Sequence, residues 1–436
     1  MSARGGGPGR RGRAGAAPRA AARHALLDRS LAFALEGYGF TSRRVRRWGG
    51  DAVETRLLGL RTLLVLGEEA ARVLYDGARF TRRGAMPRLV RTTLLGTGGV
   101  QGLDGAAHHA RKAVLLSLLG PDRAPGLAEG FVARWRAALP RWERAGRVVL
   151  LDEAAELLCR TVCAWAGVPL PEEDVARRTR QLRQLFEAPG DPRLGYPRAR
   201  LARLRAQAWV AGLVDAVREG TLRPGEGTAL HVLATHREAD GGLLDRRTAA
   251  VELLNVLRPT VAISRYVVFA ALALHEHPRW REELRQRDDD VLPFVHEVRR
   301  YHPFFPVVAA RVREPFTWRG LRLPRGRRVV LDVHGTDHDP RSWEDPAAFR
   351  PERFRGGVPS AFAFVPQGGG DHATGHRCAG EWVTVEVVAA AVRLLAREVE
   401  YEVPEQDLTV STRRMPTGPR SGFVLEGVRA PVQERR

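Results

Sequence analysis

One of the three cysteines ends a glycine-rich loop: Phe364-Val-Pro-Gln-Gly-Gly-Gly-Asp-His-Ala-Thr-Gly-His-Arg-Cys378-Ala-Gly-Glu381. Glycines let a backbone pass close to a flat cofactor. A helix beginning at Cys378 would turn its N-terminus toward the sulfur, and together with Arg377 and His376 it would favour thiolate over thiol. A thiolate beneath a heme iron donates electron density that assists O–O bond cleavage. Backbone N–H groups near Gly380 would tune that donation. The triple glycine is not a phosphate loop, because no Gly-Lys-Ser/Thr follows it. Cys159 and Cys163, four apart on one helix, read as small core residues.

A second feature is a cation where none is expected. Glu252-Leu-Leu-Asn-Val-Leu-Arg258-Pro259-Thr lies in the middle of a long apolar stretch. Proline removes an N–H and crowds the preceding turn, so the helix should open there. A guanidinium in a buried helix needs an anionic partner. No acidic residue stands one turn further toward the C-terminus, and a substrate carboxylate would satisfy Arg258 as a bidentate pair. A third feature is Glu297-Val-Arg-Arg300, an acid and a base three apart on one helical face. Phe349-Arg-Pro-Glu-Arg353-Phe follows, with Arg353 placed to join the same ion network.

Helices dominate the elements that must carry these residues. Helical periodicity runs from His24 to Leu35. Two strands, Val53 to Gly59 and Leu63 to Leu66, are joined through residues 60–62, and a short helix follows from Glu68 to Tyr75. Gly96 to Gly105 is a glycine-rich loop. The pattern to about Ile263 is mainly helical, with breaks at Pro121, Gly167–Pro171, Pro189–Pro197 and Pro224–Gly227. The longest helix spans about Leu243 to His275. Short strands fill Phe304 to Val333, a last helix runs from Cys378 to Glu398, and Tyr401 to Val428 reads as β structure. No alternating βα pattern appears, so a doubly wound sheet is excluded. Residues 1–23, rich in Arg, Gly and Ala, read as a disordered tail. Residues 24–436 read as a single domain, mainly α with small β-sheets.

The net charge is +20, which ordinarily points to nucleic acid. Here it does not. Lys112 is the sole lysine, and the arginines are spread along the whole chain with no localised patch. Three cysteines argue against a disulfide framework, and no signal peptide is visible, so a cytoplasmic location is expected. The longest apolar run in the second half, Tyr266 to Leu274, is far short of the roughly 20 residues of a membrane span. His296-Glu297 is not a zinc motif, because the second histidine is missing.

An E-x-x-R helix, a P-E-R-F segment and a glycine loop with cysteine, in that order, resemble the cytochrome P-450 superfamily. The resemblance implies the cytochrome P-450 fold, heme b with Cys378 as axial ligand, and structural roles for Glu297, Arg300 and Arg353. Gly105-Ala-Ala-His108-His-Ala-Arg-Lys112 resembles the segment that binds heme propionates. Arg258-Pro259 replaces the usual acid–alcohol pair. With Gln101-Gly-Leu-Asp-Gly105, Ala271-Leu-Ala-Leu-His-Glu-His-Pro278 and Gly375-His-Arg-Cys378 it resembles the bacterial fatty-acid peroxygenase family. That family implies fatty acid and hydrogen peroxide as substrates and no obligatory redox partner. Arg258, Pro259 and Gln101 would be catalytic, and Leu95, where an aromatic residue is expected, would join Arg258 and Gln101 around substrate. The implied reaction is hydroxylation at the α or β carbon. Its alternatives are decarboxylation to terminal alkenes, reductase-dependent monooxygenation, or non-catalytic heme or fatty-acid binding.

Overall fold

The computed structural model describes residues 22–48, 50–187 and 195–430. The tail assigned to residues 1–23 falls outside these except for Ala22 and Arg23. Those two belong to the first strand, Ala22–Asp28, where helical periodicity had pointed to a helix from His24. A short apolar run does not distinguish helix from strand. This one pairs parallel to Ala52–Leu57. The Asp28 carboxylate then turns the chain, accepting from the Ser30 and Gly59 amides at 2.9 and 2.6 Å, and a helix, Ser30–Glu36, follows.

The main sheet has six strands in the order Ala22–Asp28, Ala52–Leu57, Leu60–Val65, Arg328–Asp332, Val307–Val312 and Phe80–Thr81. The second and third form a hairpin whose turn is Leu58-Gly59, two residues earlier than expected. Leu58 and Gly59 both have positive φ, as tight hairpin turns require. A smaller sheet joins Glu400–Glu402 and Val424–Arg429 to Arg147–Val149. Much of the expected C-terminal β segment is irregular chain between these two strands.

Helices form the bulk of the molecule around one large apolar core. Its axis is the stretch Arg246–Glu276, which is long and apolar enough to cross a membrane by length and composition. It is instead packed inside the protein, with 89% of its most apolar window buried. The stretch is two helices, Arg246–Ala262 and Ser264–Glu276. The break falls at Ile263, four residues beyond Pro259. Pro259 removes one backbone donor, and the Thr260 hydroxyl bonds the Val256 carbonyl at 2.9 Å. The Ile263 amide then closes a tighter turn onto Thr260 O at 3.1 Å.

The last helix begins at Glu381, three residues after Cys378, with Gly380 at its N-cap. It runs to Arg393 and ends in a π-turn, Leu394–Glu398. Behind it, the helix Val291–Tyr301 carries Glu297 and Arg300, both fully buried. Arg300 grips Glu297 with two bonds of 2.7 Å and donates to the carbonyls of Asp337, Pro346 and Ala348. Arg353 Nε lies 3.3 Å from Glu297 Oε2, and the Arg350 amide donates to Oε1 at 2.7 Å. One carboxylate thus ties the helix to the P-E-R-F segment.

Removing one partner of a buried pair leaves the other uncompensated, at a cost of about 3–5 kcal/mol. Glu297→Ala and Arg300→Leu are each expected to lose that much stability, and Arg353→Ala less. Thermal unfolding of the heme-loaded variants checks the ranking.

Candidate active site

The proximal loop folds back on itself. Cys378 N donates to Gln367 O at 3.0 Å. The glycines are required here: a Cβ on Gly369 would stand 2.8 Å from Ala361 O, and one on Gly368, at φ +95°, 2.9 Å from the Tyr75 hydroxyl. Lys112 braces the same loop, donating to Gly375 O at 3.2 Å and to Arg377 O. Burial pushes the Cys378 thiol up. The Gly380 amide, Lys112 and Arg299 pull it down, while Glu381 acts with burial. Arg377 and His376, expected to favour the thiolate, are themselves engaged by their surroundings. Arg377 is committed to Glu381 at 2.6 and 3.0 Å. Burial, and cations led by Arg82, hold His376 neutral, well below the usual histidine range.

Beside the loop is a cluster rich in donors. His108 and Lys112 are buried on the helix Gly105–Leu119, and the His108 ring lies 4.0 Å from that of His376. Burial and Lys112 pull His108 down to about 4; burial also lowers Lys112. Arg82, on the edge strand side, is buried over the Tyr75 ring at 4.8 Å. Its Nη1 donates to Ala309 O at 2.8 Å, and Nη2 has no partner among the described residues. Asp104 is the nearby acid, and it accepts from Thr81 and the Arg82 amide. A group carrying two carboxylates, as heme does, fits this cluster of cations with an orphaned guanidinium nitrogen.

Arg258 is 7% exposed, and its Nε is buried without a partner among the described residues. Its one recorded hydrogen bond is long, 3.4 Å from Nη2 to Asn255 Oδ1. Burial lowers Arg258 to about 9, Arg203 repels it, and Cys378 acts in the opposite sense. Asn255 Nδ2 donates to Gln101 Oε1 at 3.3 Å, so Gln101 and Arg258 meet through one amide. Gln101 sits on a short 3-10 turn, Val100–Gly102. Leu95 closes a π-turn, Arg91–Leu95, and is half-buried. Pro259 lies within the helix, next to Arg258.

The cytochrome P450 family model matches residues 292–407. Cytochrome P450SP alpha (CYP152B1), solved with (R)-ibuprofen, is 46% identical with a TM-score of 0.91, over 93% of this chain and 99% of that one. The chain belongs to the CYP152 group of the cytochrome P450 superfamily. Cytochrome P450EX alpha (CYP152N1), solved with myristic acid, is 42% identical, with a TM-score of 0.90 over 96% of this chain and 100% of that one. An OleT variant solved with arachidonic acid is 35% identical, at 0.92, over 95% and 100%. Putative cytochrome P450 138 of Mycobacterium bovis is 25% identical over 384 residues, 83% of this chain and 84% of the relative. This cytochrome P450 is therefore a heme oxidoreductase with a cysteine thiolate as axial ligand, and its fold is the one the motifs implied.

Several residues of this site escaped the sequence reading. Arg82 and Tyr75 carry no motif. Asn255 and Glu252 do leave a signal, since Glu252, Asn255 and Arg258 are spaced by three along one helix, and the polar residues there mark a face that is not simple core.

If the cation cluster holds heme carboxylates, Arg82→Leu and Lys112→Met should each speed heme loss by about 10- to 100-fold, the range for one charged hydrogen bond. Transfer of heme to apomyoglobin measures it. Wild-type transfer rates in both variants would remove the cluster from the cofactor site.

Proposed function

We propose that this cytochrome P450 hydroxylates fatty acids at the α or β carbon using hydrogen peroxide, with Cys378 as the axial ligand and the substrate carboxylate held by Arg258. One observation carries the reading: a buried guanidinium with a single long hydrogen bond and, among the described residues, no acidic partner. A carboxylate supplies two acceptors in the geometry a guanidinium prefers. The ligands named for the three similar structures, (R)-ibuprofen, myristic acid and arachidonic acid, are all carboxylic acids.

The heme, when bound, supplies the oxidising chemistry that functionalises a C–H bond with oxygen from peroxide. The chain's own residues prepare the substrate for it. Arg258 anchors the carboxylate and so brings the first two carbons of the chain to the reacting position. Its positive charge keeps that carboxylate ionised, and an oxygen lone pair not engaged by the guanidinium takes a proton from hydrogen peroxide and returns it, as a general base and acid. Arg258 itself keeps its protons at neutral pH and passes none. The acid–base group is thus borrowed from the substrate, which supports the expectation that no reductase is needed. Gln101 offers a neutral amide beside the carboxylate. It does not titrate near neutral pH, whereas histidine does, and this supports hydroxylation over loss of carbon dioxide.

Myristic or palmitic acid with hydrogen peroxide alone should give mainly 2- or 3-hydroxy acids by mass spectrometry. Turnover that needs NADPH and a reductase, or alkene as the main product, would contradict the proposal. Arg258→Ala should keep heme but weaken fatty-acid binding by about 30-fold to several thousand-fold, as truncating one partner of a buried charge pair does. Spectral titration and turnover measured side by side test it.

A further inference from the structure

Glu252 is 0% exposed and stands two turns before Arg258. Every partner recorded for its carboxylate is a donor. Oε1 accepts from the Val100 amide at 2.8 Å and from Arg111 Nη1 at 3.3 Å; Oε2 accepts from Asn255 Nδ2 at 3.0 Å. The surrounding charges come from other elements. Arg111 belongs to the helix Gly105–Leu119 and reaches on to Glu238. Arg203 belongs to the helix Gly195–Arg218, and Glu252 pulls its guanidinium up against burial. Burial pushes the Glu252 carboxyl up, and Asn255, Arg111 and the Val100 amide oppose it. An ionised carboxylate, which only accepts, matches this set of donors.

That restriction propagates. A side-chain amide has a donating end and an accepting end. With Nδ2 held by Glu252, Asn255 turns Oδ1 to Arg258, at 3.4 Å, while Nδ2 also reaches Gln101 Oε1 at 3.3 Å. We infer that Glu252 is a positioning residue: it fixes the amide orientation of Asn255, and so holds Arg258 and Gln101 in the arrangement that receives the substrate carboxylate. The inference rests on the proposed role of Arg258. Glu252 also joins the distal turn and the helix of His108 and Lys112 through Val100 and Arg111, so the substrate-facing and cofactor-facing sides share one buried anion.

Glu252→Gln tests this almost isosterically. One oxygen remains for Val100 and Arg111, but the new NH2 faces the Asn255 NH2. Asn255 must then flip and turn a donor toward Arg258. Myristic acid affinity, read by perturbation of the heme absorption band of the holoenzyme, should fall by about 10- to 100-fold, the range for a charged hydrogen bond. Asn255→Ala should lose a similar amount, and Glu252→Gln should add little in the Asn255→Ala background, because coupled residues are not additive. A purely structural role would move the unfolding temperature and leave the two losses additive. Wild-type affinity in Glu252→Gln, or a full additional loss in the double variant, overturns the inference. If Glu252→Gln does not retain heme, Asn255→Ala alone decides, and unchanged affinity there overturns it. Arg258→Ala measured alongside separates the two levels: unchanged affinity in that variant defeats the parent reading itself.

Discussion

A guanidinium taken out of water without a counter-ion costs several kcal/mol, and a protein holds such a group only when the rest of the structure over-determines it. Arg258 is in that position. Leu253, Leu254, Val256, Leu257 and Val261 of the same helix are buried on both sides of it. A second buried arginine, Arg203, repels it. Its Nη2 lacks a partner among the described residues too, though Nη1 reaches Leu94 O at 3.3 Å. Folding therefore builds a site of positive potential in a poorly solvated interior, where an arriving anion is attracted far more strongly than in water.

Such a site is useful only if the charge stays in place. Two braces hold the cofactor side. Glu297 gathers Arg300, Arg353 and the Arg350 amide and joins the helix Val291–Tyr301 to the P-E-R-F segment. Glu381 gathers Arg299, Arg377 and His372 beside the proximal loop. Arg299 continues to Gln367 Oε1 at 2.9 Å, and Gln367 O receives the Cys378 amide. The thiol is thus tied by backbone and side chain to the same helix that carries Glu297. On the Arg258 side, Glu252, Asn255 and Gln101 form the corresponding brace. Each is a buried polar network with most of its members satisfied, which is the condition under which such networks rigidify a fold.

The chemistry of the site was more legible than its scaffold. Cys378 was marked by glycines whose missing Cβ atoms the loop requires, and Arg258 by an apolar context that makes a lone cation conspicuous. Glu297 and Arg300 were marked by helical spacing. Other features left weaker traces. The strand Ala22–Asp28 is too short to show a period, and only pairing with Ala52–Leu57 decides it. The helix break falls at Ile263 and not at Pro259: the helix continues through the proline, and the Ile263 amide then closes a tighter turn onto Thr260 O. Arg82 is one arginine among many in an arginine-rich chain, and only tertiary placement reveals its unpaired nitrogen. Arg377, expected to support the thiolate, is paired with Glu381, four residues on along the chain.

Charge recognition at Arg258 is the claim on which the rest turns, and the ligand's own charge tests it most directly. Spectral titration of the heme-loaded enzyme with myristic acid and with its methyl ester compares two chains of the same length that differ in charge. The buried guanidinium, with no acidic partner among the described residues, predicts that the acid binds more tightly by at least about 30-fold, the low end of a buried charge-pair effect. Equal affinity for acid and ester would contradict it, and would leave the chain-binding surface alone to select the substrate.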